Sequence, residues 1–176
     1  MNVAIERNDL TLDRIDLNIL NELQEDASLT NLELAARVKL SASPCLVRVK
    51  NLERQGVISR RVAVLDASLL GLVVTAIVEI SLERQGMHAR ERFADTIRGL
   101  TEVMDCYMMT GPIDYLLRVV ARDLAELEYI ITNKLTSLPG VASIRSNVVL
   151  KRLANKTALP IDTSRPMQIQ GMPREY

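Results

Sequence analysis

The chain has 176 residues, 48% of them hydrophobic, and its 22 Lys and Arg balance 22 Asp and Glu to a formal net charge of +0. That apolar content excludes global disorder, and the length allows one domain or two small ones. Two cysteines and one histidine are too few for a disulfide framework or a structural zinc site.

The zero balance hides a segregation. In residues 9–33 the acids Asp9, Asp13, Asp16, Glu22, Glu25, Asp26 and Glu33 are met only by Arg14. In residues 37–61 the bases Arg37, Lys39, Arg48, Lys50, Arg54, Arg60 and Arg61 are met only by Glu53. No apolar signal core opens the sequence, and the apolar run at 69–78 is shorter than the ~20 residues a membrane span needs. The expectation is a cytoplasmic protein that touches no membrane.

Leu12, Ile15, Ile19 and Leu23 recur at helical spacing and predict a first helix over 11–24, capped by Thr11 or Asp13. Thr30 and Glu33 form a capping box that starts a second helix. After the break "KLSAS", a third helix runs from about Ser41 to Gln55 and stops at Gly56, a good C′ residue. "VISRRVAVL" (57–65) is β-rich and reads as a strand or hairpin arm. Helix, capped helix, short turn, helix and basic strand is the order of a winged helix-turn-helix, spanning 11–65.

At about 100° per residue, Cys45, Val49 and Leu52 share one face of the third helix and should pack inward. Ser43, Val47, Lys50, Asn51 and Arg54 share the opposite face. Ser41 is the expected N-cap, and Pro44 lies in the first turn, where its missing N–H costs little. Free amides at that end favour a phosphate. Arg48 adds to the positive charge of the helix, and Arg60 and Arg61 extend it onto the next strand. Hydroxyl, amide and cationic groups together suit phosphates and base edges of duplex DNA. Many basic helix faces are only solvated. Here helix order, a short turn and charge segregation coincide in one block, which favours DNA.

Residues 66–72 read as a hinge. Beyond it come a strand at 73–82, then a helix at 89–100 with Phe93, Ile97 and Leu100 on one face, closing near Gly99. Strands at 103–109 and 115–121 flank the turn "TGPID". A helix at 122–138 is capped by Asp123, with the stripe Leu124, Leu127, Ile131, Leu135 and Leu138, and Pro139-Gly140 ends it before a last strand at 141–150. The order βαββαβ predicts a ferredoxin-like domain over 73–160, so the whole chain is α+β. Residues 1–10 and 161–176 lack periodicity and are expected to be loose.

Four stretches, "LDRIDLNILNELQEDA" (12–27), "SPCLVRVKNLERQGVI" (43–58), "TGPIDYLLRVV" (110–120) and "LPGVASIRS" (138–146), resemble the Lrp/AsnC family of transcription regulators. The resemblance covers about residues 10–160. Within the family, "EVMDCYMMTG" and "KTALP" look most like the regulators of branched-chain keto-acid catabolism. It implies DNA binding by the first domain and a RAM or ACT-like second domain that binds an amino acid and assembles the protein.

Asp114 admits two readings. It can satisfy backbone amides of its turn, as Asp often does, or meet the ammonium of a ligand whose carboxylate takes amides near Gly111. The family binds small amino acids near this Gly-x-x-Asp loop, at contacts between dimers. The commoner form there is Gly-Asp-x-Asp-Tyr. This chain has Gly111-Pro112-Ile113-Asp114-Tyr115, in which Pro112 removes an acid and an N–H. Leu100, Val103 and Leu138 are apolar candidates for holding an aliphatic side chain, and Thr110 and Ser137 are polar ones. Leucine, isoleucine, valine and methionine are the effectors to expect.

Apolar residues on both faces of "VVTAIVEI" predict a sheet with helices on one face and a second copy on the other. The resemblance extends such dimers to octamers. No cofactor or metal is expected. An enzyme reading is weak: His88, in a polar connection, is the sole histidine, and no phosphate-binding Gly-rich motif is present. Cys45 reads as a redox sensor at the DNA face or a small buried hydrophobe, and Cys106 reads likewise. The rival from another class is an amino-acid-sensing oligomeric module whose basic domain binds protein or RNA.

Overall fold

The computed structural model describes residues 10–83 and 87–169. The chain forms two compact units, Met1–Val64 with Ala154–Tyr176, and Leu65–Leu153.

The first unit holds β1 (Leu10–Leu12), α1 (Arg14–Glu25), α2 (Asn31–Arg37) and α3 (Ala42–Arg54). Asp13 caps α1: its Oδ1 accepts from the amides of Ile15 and Asp16 at 2.8 and 2.9 Å, and Asp16 returns a bond to the Asp13 N–H. The Thr30–Glu33 box closes α2 in the same reciprocal way. Between α2 and α3 the chain turns through Lys39, at φ 59. Lys39 N–H reaches Ala36 O and Leu40 N–H reaches Ala35 O, the paired bonds of a Schellman ending. Gly56, at φ 70, ends α3 with the same pair of bonds. Leu17, Ile19, Leu23, Leu34, Cys45, Val49 and Leu52 form the core.

Two expectations fail here. Residues 59–65 form no strand, and Val62, Val64 and Leu65 lie exposed. The ribbon of this unit is built instead from β1 and β6 (Met167–Ile169), paired antiparallel with Leu10 opposite Ile169 and Leu12 opposite Met167. The stretch expected as a loose tail therefore contains a strand, and Ile161 and Ile169 pack on the core. A strand needs a partner more than it needs β-propensity, and this partner is distant in sequence. Leu10, expected to be loose, is part of β1; residues 1–9 and 170–176 lie outside the described residues.

The second unit holds β2 (Val74–Leu82), α4 (Met87–Arg98), β3 (Val103–Met108), β4 (Tyr115–Ala121), α5 (Leu124–Tyr129) and β5 (Val141–Val148). The strands form one antiparallel sheet in the order β3-β4-β2-β5, as a ferredoxin-like unit requires. Ala76, Val78, Ile80, Leu117 and Val119 meet Phe93 and Ile97 of α4 and Leu127 of α5. Phe93 stacks on Tyr115 with ring centroids 4.4 Å apart. The alternate positions Ile77, Glu79, Leu116 and Arg118 are half-buried, and ion pairs Arg118–Asp105 and Glu79–Arg145 join strands there.

The second unit begins before the expected hinge and ends at Leu153, so 154–160 belong to the first unit. The hinge itself is hydrogen-bonded, with Leu72 N–H on Ala67 O and Gly71 at φ 77. α4 starts at Met87 and ends before Gly99, which places His88 on the helix rather than in a connection; its side chain lies outside the described residues. α5 passes at Ile130 into a π-helical segment, Ile130–Leu135. Thr136 N–H reaches Ile131 O, five residues back. The wider turn buries Ile130 and Leu135, five residues apart, on one side. Separately, Leu124 in the first turn of α5 is exposed, against the regular stripe expected.

Candidate nucleic-acid interface

Helix α3 has two chemically distinct sides. Cys45, Val49 and Leu52 are buried at 0, 6 and 2% exposure, as their spacing predicts. Ser41, Ser43, Pro44, Val47, Lys50 and Arg54 are exposed and Asn51 is half-buried. Arg54 Nη2 donates to Asn51 Oδ1 at 3.0 Å, which pre-sets both groups. Ser41 stands at the N-cap without a side-chain bond to the helix, so its first-turn amides keep their capacity for an anion. Arg60 is exposed just beyond the helix, and Arg61 is bound to Glu53 at 3.0 Å.

Arg48 does not belong to this face. Its Nη1 donates to Asp13 Oδ2 at 2.7 Å and Asp16 Oδ1 at 2.8 Å, so it clamps α3 to the start of α1. Partial burial pushes the Asp13 carboxyl up, but the Asp16 amide and the Arg48 guanidinium outweigh it and hold the carboxyl below its ordinary range. The two carboxylates hold the Arg48 proton more firmly in turn. Acids at the head of α1 thus neutralise one base of α3 and leave the others outward.

A cleft of about 540 Å³ runs beside α3, lined by Thr11, Asp16, Pro44, Val47, Arg48, Asn51, Leu52 and Gln55. Asn31 was not singled out by sequence, yet its Nδ2 donates to Ala42 O at 2.8 Å and steadies the first turn of α3. Burial pushes the Cys45 thiol up and seats it beneath the helix, so it is a packed hydrophobe and not a surface sensor.

In the second unit the turn residues Thr110, Gly111 and Pro112 are exposed, with Gly111 at φ 125. Asp114 serves backbone: its Oδ2 accepts from Leu82 N–H at 2.8 Å and its own N–H donates to Ile80 O. This holds the loop to the end of β2, beside the register shift at Ser81 and Leu82. Ser137 Oγ bonds back to Asn133 O and Lys134 O, and Leu138 is buried with the core. Leu138 leads into β5 at the same sheet end, since Val141 pairs with Leu82. Leu100 and Val103 do not join them. Val103 pairs with Val119 and Met108 with Tyr115, so the length of β3, ~17 Å at about 3.4 Å per residue, separates them from the turn. Both pack against the core.

Comparison with known proteins covers both units. The profile described as winged helix-turn-helix DNA-binding matches residues 12–59, and that of the Lrp/AsnC ligand binding domain matches residues 75–159. The chain is 40% identical over 152 residues to the leucine-responsive regulatory protein of Escherichia coli K12, spanning 86% of this chain and 93% of that protein. The Klebsiella pneumoniae protein of the same name gives the same figures. Among solved structures, a transcriptional regulator of Neisseria meningitidis in complex with L-methionine superposes with a TM-score of 0.82 at 39% identity, covering 85% of this chain and 96% of that one. An AsnC family regulator from Agrobacterium tumefaciens gives 0.81 at 35% identity, covering 85% and 97%. No helix among the described residues is long and apolar enough to cross a membrane.

Proposed function

This chain belongs to the Lrp/AsnC family of DNA-binding transcription regulators, which are not enzymes, and from that premise we propose how it reads DNA and what it answers to. α3 enters the major groove with Ser43, Val47, Lys50, Asn51 and Arg54 toward the DNA, while Ser41, Pro44, Arg60 and Arg61 flank the phosphates. The observation that carries this is the division of α3 into a buried apolar side and an exposed polar, cationic one. A reading in which the basic unit binds protein or RNA is disfavoured by the DNA-binding profile over 12–59. Replacing Lys50, Arg54 and Arg60 together by Ala tests the face. Mobility shifts over a salt series should show weaker binding and a shallower slope. Unchanged binding at every salt concentration would remove α3 from the interface.

The second unit responds to a small aliphatic amino acid held at the turn by Thr110, Gly111 and Asp114, with Ser137 and Leu138 near the same sheet end. The methionine complex of the Neisseria relative puts methionine first, then leucine, isoleucine and valine. Two copies pair through the sheet face bearing Ile77 and Leu116, and dimers associate further to an octamer. The protein acts in the cytoplasm on genes of amino-acid metabolism. Calorimetric titration of the four amino acids tests the ligand class, and sedimentation tests the assembly.

A further inference from the structure

The tail beyond residue 159 lies outside the family match. The ligand-domain profile ends at residue 159 and the helix-turn-helix profile begins at residue 12. β6 is outside both, and β1 enters only with its last residue. Yet the tail is built into the first unit by three separate attachments. β6 pairs with all of β1. The Gln24 carboxamide accepts from Leu159 N–H at 2.8 Å and donates to Leu159 O at 2.9 Å, so a side chain of α1 pairs with tail backbone as a strand would. Ile161 and Ile169 then pack on the core that contains Cys45 and Val49 of α3.

The strand held this way leads directly to α3. Leu12, 2% exposed, is followed by Asp13, which caps α1 through Oδ1 and holds Arg48 of α3 through Oδ2. Thr11, opposite Gln168 in the ladder, also lines the cleft beside Pro44, Val47 and Asn51. Tail, β1, Asp13, Arg48 and α3 are thus successive paired or hydrogen-bonded links.

We propose that residues 154–169 are a clamp that positions α3 for DNA, so that a segment following the ligand-binding unit is a working part of the DNA-binding head. The proposal rests on α3 being the DNA-contacting helix. Without the ladder, β1 loses its register, Asp13 loses its fixed place, and α3 loosens on its buried side.

The structure supplies the probe. Cys45 is fully buried on the inner side of α3 and Cys106 is exposed. With Cys106→Ser, alkylation of Cys45 reports how firmly α3 is seated. The parent, a chain ending after Leu153, and a full-length chain carrying Gln168→Pro are compared. Proline fixes φ, cannot donate, and is poorly tolerated within a ladder this short. Alkylation should rise at least about tenfold in both variants, and affinity for a mixed-sequence DNA duplex should fall by a similar factor. A peptide of residues 154–170 added to the shortened chain should restore both. These measurements are made well below the unfolding temperature, where lost stability alone would leave the folded fraction, and so the affinity, unchanged. Cys45 as well protected and DNA as tightly bound in the Gln168→Pro chain as in the parent overturns the clamp. A parent that binds no DNA sinks the reading of α3 as the contact helix, and Cys45 alkylation still decides the clamp.

Discussion

The Arg48 guanidinium lies 2.7 Å from the Asp13 carboxylate, so the most buried cation of α3 is turned away from the face where its neighbours point. The relationship makes Arg48 an architectural residue. Arg48→Met keeps the aliphatic stem and deletes two charge-assisted bonds, one to Asp13 and one to Asp16. Both sites are partly solvated, with Asp13 47% exposed, so the loss should be about 1–2 kcal/mol rather than that of a buried pair. Asp13 has a folded-state value below the ordinary 3.8. Its contribution is present above that value and is lost as pH falls through the lower folded one. The parent should therefore lose stability steeply below about pH 4, and the Met variant less steeply. Urea unfolding across that range checks it; parallel curves would mean the pair has no linkage to folding.

Lys39 occupies the left-handed region at φ 59 in the turn between α2 and α3. An L side chain there costs about 1–2 kcal/mol, and glycine returns part of this as unfolded-state entropy. Lys39→Gly should stabilise the first unit by about 0.5–1 kcal/mol without altering the turn. A lower unfolding midpoint would show that the Lys39 side chain holds something the backbone does not need.

Asn51 and Arg54 are bonded to one another at 3.0 Å, so their effects on DNA binding should not add. Arg54→Ala should reduce the salt slope by roughly one unit for a lost phosphate contact. Asn51→Ala should lower discrimination by about 1–3 kcal/mol if it reads a base edge, and should also release Arg54. A double-mutant cycle on a selected operator should give a coupling of about 0.5 kcal/mol or more. Strict additivity would place the two on independent contacts.

What could be read from sequence was local. Thr30 and Glu33 sit three apart and bond each other, so the start of α2 was visible in four letters. Cys45, Val49 and Leu52 follow the helix period and are buried together. The features that escaped are those with remote partners. Nothing near Leu10 announces Ile169, and nothing near Gln24 announces Leu159. The basic block suggested that Arg48 faced DNA, because charge counting cannot tell which base a distant acid will take. The π-helical segment after Tyr129 puts Ile130 and Leu135, five residues apart, in the core together, a spacing that a regular helical stripe does not predict. Leu100 and Val103 looked like neighbours of the Gly111 turn in sequence, but an extended strand carries adjacent letters to opposite ends of a sheet.

Asp114 is where both readings of the turn can be separated. Its carboxylate accepts the Leu82 amide at 2.8 Å, which is a structural duty that asparagine can keep through its carbonyl oxygen. An amino-acid effector would ask for something asparagine cannot give, a negative charge for its ammonium. Asp114→Asn should therefore leave thermal stability nearly unchanged, whereas Asp114→Ala should cost about 1 kcal/mol by orphaning the Leu82 N–H. A charged hydrogen bond contributes roughly 1.5–3 kcal/mol, so effector affinity should fall about ten- to a hundredfold in the Asn variant. The Ala variant should lose it to at least the same degree. DNA binding without effector should hold in both, because the turn lies in the other unit. Calorimetry with methionine, leucine, isoleucine and valine on the three proteins, beside their unfolding curves, gives the decision. If the Asn variant binds the effector as tightly as the parent, Asp114 serves only to fasten the turn to β2. The ligand's charge must then be met by another group.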